Sequence, residues 1–221
     1  MKGSVLVTGG ARRIGRAICE ALAARGWRVL AHSRDPGNPL CADFLRPDGA
    51  DRLFAAALAQ APDLCAVVNS AAVFSTAAVL PPAEVAALRA VNVAAPVRLT
   101  ELLAAHLAAR RATGAVVHLL DTRILKDLKG LAPGPYAASK LELARATVAQ
   151  ARSLAPTLRV NGVAPGPVLP PTDAANREKG GAILLPRRPA PADVAAAVAF
   201  LLEAEAVTGQ ILAVDSGQSL L

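Results

Sequence analysis

The chain has 221 residues, 53% of them hydrophobic, 19% charged and 3% aromatic, enough apolar chain for one substantial core and too much for wholesale disorder. No run approaches the ~20 apolar residues that span a bilayer. The net charge of +7, from 24 basic and 17 acidic residues, lies on scattered arginines without interleaved aromatics, which argues against nucleic acid and for a few cations aimed at an anionic small molecule.

The opening run MKGSVLVTGG is too short for a secretory leader and reads as a first strand, Ser4–Thr8. Further strands are expected at Arg28–His32, a short Pro39–Ala42, Leu64–Asn69, Ala115–Leu120, Leu158–Val163 and Ile211–Val214. Helices are expected at Ile14–Ala24, Asp48–Gln60, Ala83–Arg110, Pro135–Ser153 and Ala192–Leu202. The strands are apolar on both faces and helices separate them, the pattern of a doubly wound parallel α/β sheet in a single domain over residues 1–221. Between Pro165 and Pro191 periodicity disappears into proline and glycine. A loop of about 25 residues there has the length of a substrate lid. Three cysteines (Cys19, Cys41 and Cys65) are an odd number without CxxC or Cys/His clustering. No disulfide framework or metal site is expected, the thiols are expected in the core, and a reducing cytoplasm is expected around them.

The first turn carries the first chemistry. Thr8-Gly9-Gly10-Ala11-Arg12-Arg13-Ile14-Gly15 follows a strand and opens a helix. Gly9 permits the tight turn, Gly15 permits close helix–strand packing, and the helix N-terminus offers N–H groups to a pyrophosphate. This is the context of a Rossmann-type dinucleotide site. The second strand ends in Ser33-Arg34, where an NAD-selective chain carries a carboxylate. Arg34, with Arg12 from the turn, suits a 2′-phosphate, so NADP(H) is expected. Asp35 becomes the ribose acid if the register shifts by two; His32 reads as a packed strand-end side chain. Tyr136 is the sole tyrosine, and Lys140 lies one helical turn on. An ammonium beside a phenol lowers its pKa and makes it a better proton carrier.

With the motifs TGGARRIG, Asp43-Phe44, Asn69-Ser70-Ala71-Ala72, a mid-helix Asn92, Tyr136-Ala137-Ala138-Ser139-Lys140 and Asn161–Gly166, the chain resembles the short-chain dehydrogenase/reductase family over essentially its whole length. The resemblance implies that Gly9, Arg12, Arg13, Ile14 and Gly15 hold the cofactor, that Asp43 and Phe44 flank its adenine, and that Asn69 and Ala71 lie along it. Pro165 and Gly166 would contact the nicotinamide side, and Lys140 the nicotinamide ribose. Tyr136 would donate the proton and Asn92 would order a water in its relay. A homodimer or homotetramer is implied, built on the long central helix and the Tyr136 helix, whose Ala- and Leu-rich sequences suit close packing.

Three departures narrow the resemblance. Arg13 replaces a turn glycine, Asp121 stands where a serine usually precedes the Tyr/Lys pair, and Phe74 follows the Asn69 segment. These look like the pteridine reductase and dihydromonapterin reductase branch, in which a pterin is sandwiched between an aromatic ring and the nicotinamide. The chemistry fits: reducing C=N needs a proton on nitrogen, which a carboxyl group can relay, and Phe74 offers a flat face. Arg13, Phe74, Asp121 and Tyr136 are therefore the expected substrate contacts. Tyr136 lies fifteen positions after Asp121, two more than the family's usual spacing. Unadjusted spacing puts Arg123 at the catalytic position. An arginine cannot donate a proton at neutral pH, so Asp121 with a bulged loop is preferred, and Arg123 stays a candidate ligand for an acidic substrate. The alternatives are a general carbonyl or 3-oxoacyl reductase, and a silent NADP(H)-binding regulator.

Overall fold

The computed structural model describes residues 2–129, 134–168 and 181–221, with the backbone alone for 126–129. Six parallel strands form one sheet in the order β2-β1-β3-β4-β5-β6. They are β1 (Ser4–Thr8), β2 (Arg28–Ala31), β3 (Leu64–Asn69), β4 (Gly114–Leu119), β5 (Leu158–Pro165) and β6 (Ile211–Val214). The α-helices are α1 (Arg13–Ala24), α2 (Gly49–Gln60), α3 (Pro82–Arg89), α4 (Ala95–Ala109), α5 (Pro135–Ser153) and α6 (Pro191–Glu203).

Alternation along each strand feeds two cores. Leu6, Val67, Val116 and Val160 point to the side of α2 and α4, where Leu53, Leu99, Leu103 and Leu107 are buried with them. Val5, Val7, Val68 and Val117 point to the other side, against Ile18 and Leu22 of α1 and Val194, Val198 and Leu201 of α6. Each such side chain contributes ~1.5–3 kcal/mol of burial, which is why strands apolar on both faces are stable only between helix layers. At the starting ends of the strands, Trp27, Lys2 and Arg25 converge on Glu203 and tie α6 to β1 and α1.

Three expectations are corrected. The strand at Pro39–Ala42 is reduced to a single parallel bridge, Ser33 to Cys41; Pro36, Gly37 and Pro39 remove the donors and rigidity a longer ladder needs. The helix expected over Ala83–Arg110 is interrupted by a π-helical turn, Ala90–Ala94. Pro96 has no N–H for the Asn92 carbonyl and its ring would crowd that oxygen; the backbone adds a residue to the turn, and the Ala95 N–H reaches Ala90 O. Finally, Cys41 is exposed, while Cys19 and Cys65 are half-buried. Of the Ala and Leu pairs on the central helix, Ala95, Leu103 and Ala104 lie in the chain's own core, while Ala94 and Ala105 are exposed. Part of the expected lid, 169–180, lies outside the described residues.

Candidate active site

The finishing ends of β1, β2 and β3 open into a cleft of about 580 Å³. Gly9, with φ +66°, turns the chain out of β1. A Cβ on Gly15 would be driven into the Gly9 carbonyl, so α1 approaches the turn as closely as a backbone can. Among the described residues, the start of α1 has no acidic side chain in its first turn and no side-chain cap, which leaves its N–H groups suited to an anion. Arg13 stands there with φ +53°, a left-handed conformation that costs roughly 1–2 kcal/mol in a non-glycine residue.

His32 ties the two walls of this cleft together. Its Nδ1 accepts the Gly9 N–H at 3.2 Å and its Nε2 bonds the Ala42 carbonyl at 3.0 Å. Its ring lies 4.8 Å from that of Phe44. Burial holds this imidazole below its ordinary pKa, consistent with the neutral form that both bonds need. The strand-end reading of His32 therefore holds, with a bracing role that the sequence did not reveal. Ser33, Arg34, Asp43 and Phe44 line the cleft with Arg12 and Arg13. Asp35 lines it too, but its carboxylate accepts the Gly37 N–H at 3.0 Å in a turn of its own. Arg12, Arg13 and Arg34 outnumber Asp35 and Asp43 along this wall, and the residues fit a phosphorylated dinucleotide.

Asn69 does not line the cleft. It is 2% exposed, and its amide donates toward His118 Nδ1 at 3.1 Å and Pro96 O at 3.5 Å. Ala71 does line the cleft, held by its N–H on Thr8 Oγ1 at 3.1 Å. Pro165 and Gly166 sit at the end of β5, where the Gly166 N–H bonds Val214 O at 3.0 Å and a Cβ on Gly166 would run into Asp215.

The residues expected to handle the proton converge. Tyr136, 8% exposed at the start of α5, donates its hydroxyl to Asp121 Oδ2 at 3.2 Å. Asp121 follows β4, and its other oxygen accepts the Arg123 N–H at 2.9 Å, capping the 3₁₀ helix Thr122–Lys129. One carboxylate therefore serves both as helix start and as phenol partner. The lowering expected from Lys140 is not found: burial and the Asp121 charge push the Tyr136 pKa well above its ordinary value of 10, opposed by Arg123. Lys140, one turn on, is 3% exposed; its Nζ donates to Leu119 O at 2.7 Å, and burial brings it down to about 8. Phe74 is half exposed and stands edge-on to Tyr136 with centroids 4.8 Å apart.

Asn92 lies in the π turn, fully buried. Its side chain holds Val73 from both sides: Oδ1 accepts the Val73 N–H at 2.9 Å and Nδ2 donates to Val73 O at 2.9 Å. Nδ2 also reaches Ser139 Oγ at 3.0 Å, and Ser139 bonds back to Tyr136 O at 2.7 Å. The side chain thus latches the segment carrying Phe74 to the helix carrying Tyr136. Thr8, Ser139 and His118 were missed as supporting residues. Thr8, inside the TGGARRIG motif, and Ser139, inside the Tyr136–Lys140 motif, carried a signal that could have found them; His118 did not. Among the described residues, no cluster of three His, Cys, Asp or Glu groups forms a metal site, and no helix is long and apolar enough to cross a membrane.

The model of the family described as enoyl-(acyl carrier protein) reductase matches residues 9–219. The chain belongs to the short-chain dehydrogenase/reductase family. Its fold superposes on FolM alternative dihydrofolate reductase 1 from Brucella canis, solved in complex with NADP, with a TM-score of 0.88 at 32% identity over 99% of this chain and 94% of that one. Carbonyl reductase family member 4 of Danio rerio is 31% identical over 98% of this chain and 98% of its own length. Dihydromonapterin reductase of Enterobacter sp. (strain 638) is 29% identical over 98% and 96%. This short-chain dehydrogenase/reductase is an oxidoreductase on a single Rossmann-type α/β domain.

Proposed function

We propose that this family member is an NADPH-dependent reductase of a flat, conjugated C=N or C=O substrate of the dihydropteridine type, such as dihydromonapterin or dihydrofolate. The observation that carries the reading is the Tyr136 hydroxyl on the Asp121 carboxylate at 3.2 Å, with Phe74 beside them. Ser33, Arg34 and Arg12 would hold the 2′-phosphate, with Gly9, Ile14 and Gly15 around the pyrophosphate, and Lys140 would hold the nicotinamide ribose. When bound, the dihydronicotinamide supplies the hydride. Tyr136 holds the proton at Oη, Asp121 accepts ring or amino N–H groups and relays the proton, and Phe74 and Arg13 hold the heterocycle. Asn92, its side chain committed to Val73 and Ser139, would order the water that refills the relay through its backbone carbonyl. The NADP-bound FolM structure and the dihydromonapterin reductase relative support this assignment.

The Danio rerio relative favours a second reading, a general carbonyl or 3-oxoacyl reductase in which Asp121 is incidental. NADPH consumption with dihydrobiopterin or dihydrofolate, measured beside an acyl thioester, separates them. Turnover of the pterin supports the proposal; turnover of the thioester alone overturns it, and no turnover on either favours a silent NADP(H)-binding regulator. We also infer a homodimer or homotetramer in a reducing cytoplasm, consistent with three free cysteines; sedimentation of the purified chain tests the assembly.

A further inference from the structure

Arg123 occupies the first turn of the 3₁₀ helix, two residues past Asp121. Its Nη1 lies 3.7 Å from Asp121 Oδ2, the same oxygen that accepts the Tyr136 hydroxyl. Its Cζ stands 5.0 Å from the Phe74 ring centroid and 5.5 Å from that of Tyr136. One guanidinium therefore reaches the carboxylate, the phenol ring and the exposed aromatic together. A planar cation that stacks on rings and forks toward a carboxylate is an arrangement arginine makes far better than lysine.

Among the described residues, the charged groups facing the Tyr136 ring are Asp121 and Arg123 from the segment after β4 and Lys140 from α5, whose Nζ is 5.9 Å from the ring centroid. Lys140 commits its ammonium to the Leu119 carbonyl, and burial brings its midpoint to about 8. Its charge is lost as pH rises through about 8. Arginine keeps its charge throughout.

We propose that Arg123 is a positioning residue for the proton-transfer pair: its guanidinium anchors the Asp121 carboxylate and steadies the Tyr136 phenol against Phe74. The inference rests on the reading of Tyr136 and Asp121 as that pair, but not on which molecule they reduce. It is consistent with Arg123 drawing the Tyr136 ionisation down, against burial and Asp121. It also changes the part given to Arg123, from ligand for an acidic substrate to partner of the acid already in the site.

The chain has a single tyrosine, so biosynthetic replacement by a fluorinated tyrosine with a more acidic phenol gives one fluorine resonance, whose shift against pH reports Tyr136 alone. Arg123→Gln should raise the midpoint by about one pH unit, and Arg123→Lys should restore at least about half of that shift. The Arg123 side chain is 48% exposed, so both variants should fold. An unchanged midpoint in Arg123→Gln overturns the proposal, as does an Arg123→Lys midpoint equal to that of Arg123→Gln. A shifted midpoint in a chain that reduces no pterin sinks the substrate assignment and leaves Arg123 in this role. An unchanged midpoint in a chain that does reduce pterin has the opposite meaning.

Discussion

Tyr136 ends its hydroxyl on a carboxylate, and that contact decides what its loss should do. Tyr136→Phe removes the proton but keeps the ring against Phe74, so turnover should fall by at least about 100-fold. NADPH affinity, measured by equilibrium titration, should stay nearly unchanged; a fully active variant would remove Tyr136 from the mechanism. Asp121→Ser should depress pterin reduction far more than reduction of a simple activated ketone, since only the pterin needs a proton on nitrogen; equal losses in parallel assays would argue against the pterin assignment. His118 gives a pH prediction. Burial, partly offset by Gln150, takes its pKa from 6.5 to about 4. The folded chain thus binds fewer protons than the unfolded one between these values, and the associated stability, present above pH 6.5, is lost as pH falls through 4. The full window corresponds to about 3 kcal/mol. Denaturant midpoints should fall more steeply with acid in the wild type than in His118→Asn, and parallel slopes would exclude His118 as the cause. Tyr136 and Lys140 were legible because their spacing places both on one helix face. The choice between Asp121 and Arg123 was not, because it depends on how a 3₁₀ turn points two neighbours; the structure brings both to the same phenol.

Apart from Pro39–Ala42, the strands fell within a residue or two of their expected bounds, since a run apolar on both faces has few other places to go. The interrupted helix was less legible: Pro96 was visible, yet the periodicity of Ala83–Arg110 runs through it. Here the break creates the site, because the π turn puts Asn92 where it can grip Val73. Pro96→Ala restores an N–H and lets a regular α turn compete. We expect kcat to drop by about 10-fold to 100-fold with helical circular dichroism retained. An unchanged kcat would show that the proline ring does not hold the turn. At the first turn, Gly15→Ala forces a Cβ toward the Gly9 carbonyl and should destabilise the chain by about 1–3 kcal/mol, read as a lower denaturant midpoint.

Across the whole molecule, the one-domain parallel sheet was written in the alternation of strand and helix, whereas the strand order β2-β1-β3-β4-β5-β6 was not, because alternation does not say which strands pair. The cofactor preference is a molecular-scale test of the basic wall at Ser33 and Arg34. A ligand held only by the folded chain at 100 times its Kd stabilises by about 2.7 kcal/mol. At equal concentration, NADP⁺ should therefore raise Tm more than NAD⁺, and Arg34→Ala should erase most of the difference; equal shifts in the wild type would place the selectivity elsewhere. The placement of the two rarest side chains has its own use. All six strands run the same way, so the lone indole, Trp27, sits at the pole where β2 begins, and the lone phenol stands near the pole where β4 finishes. Indole emission therefore follows global opening from the end remote from catalysis, while a label on the phenol watches the chemistry, and one sample carries both reporters without an engineered probe site.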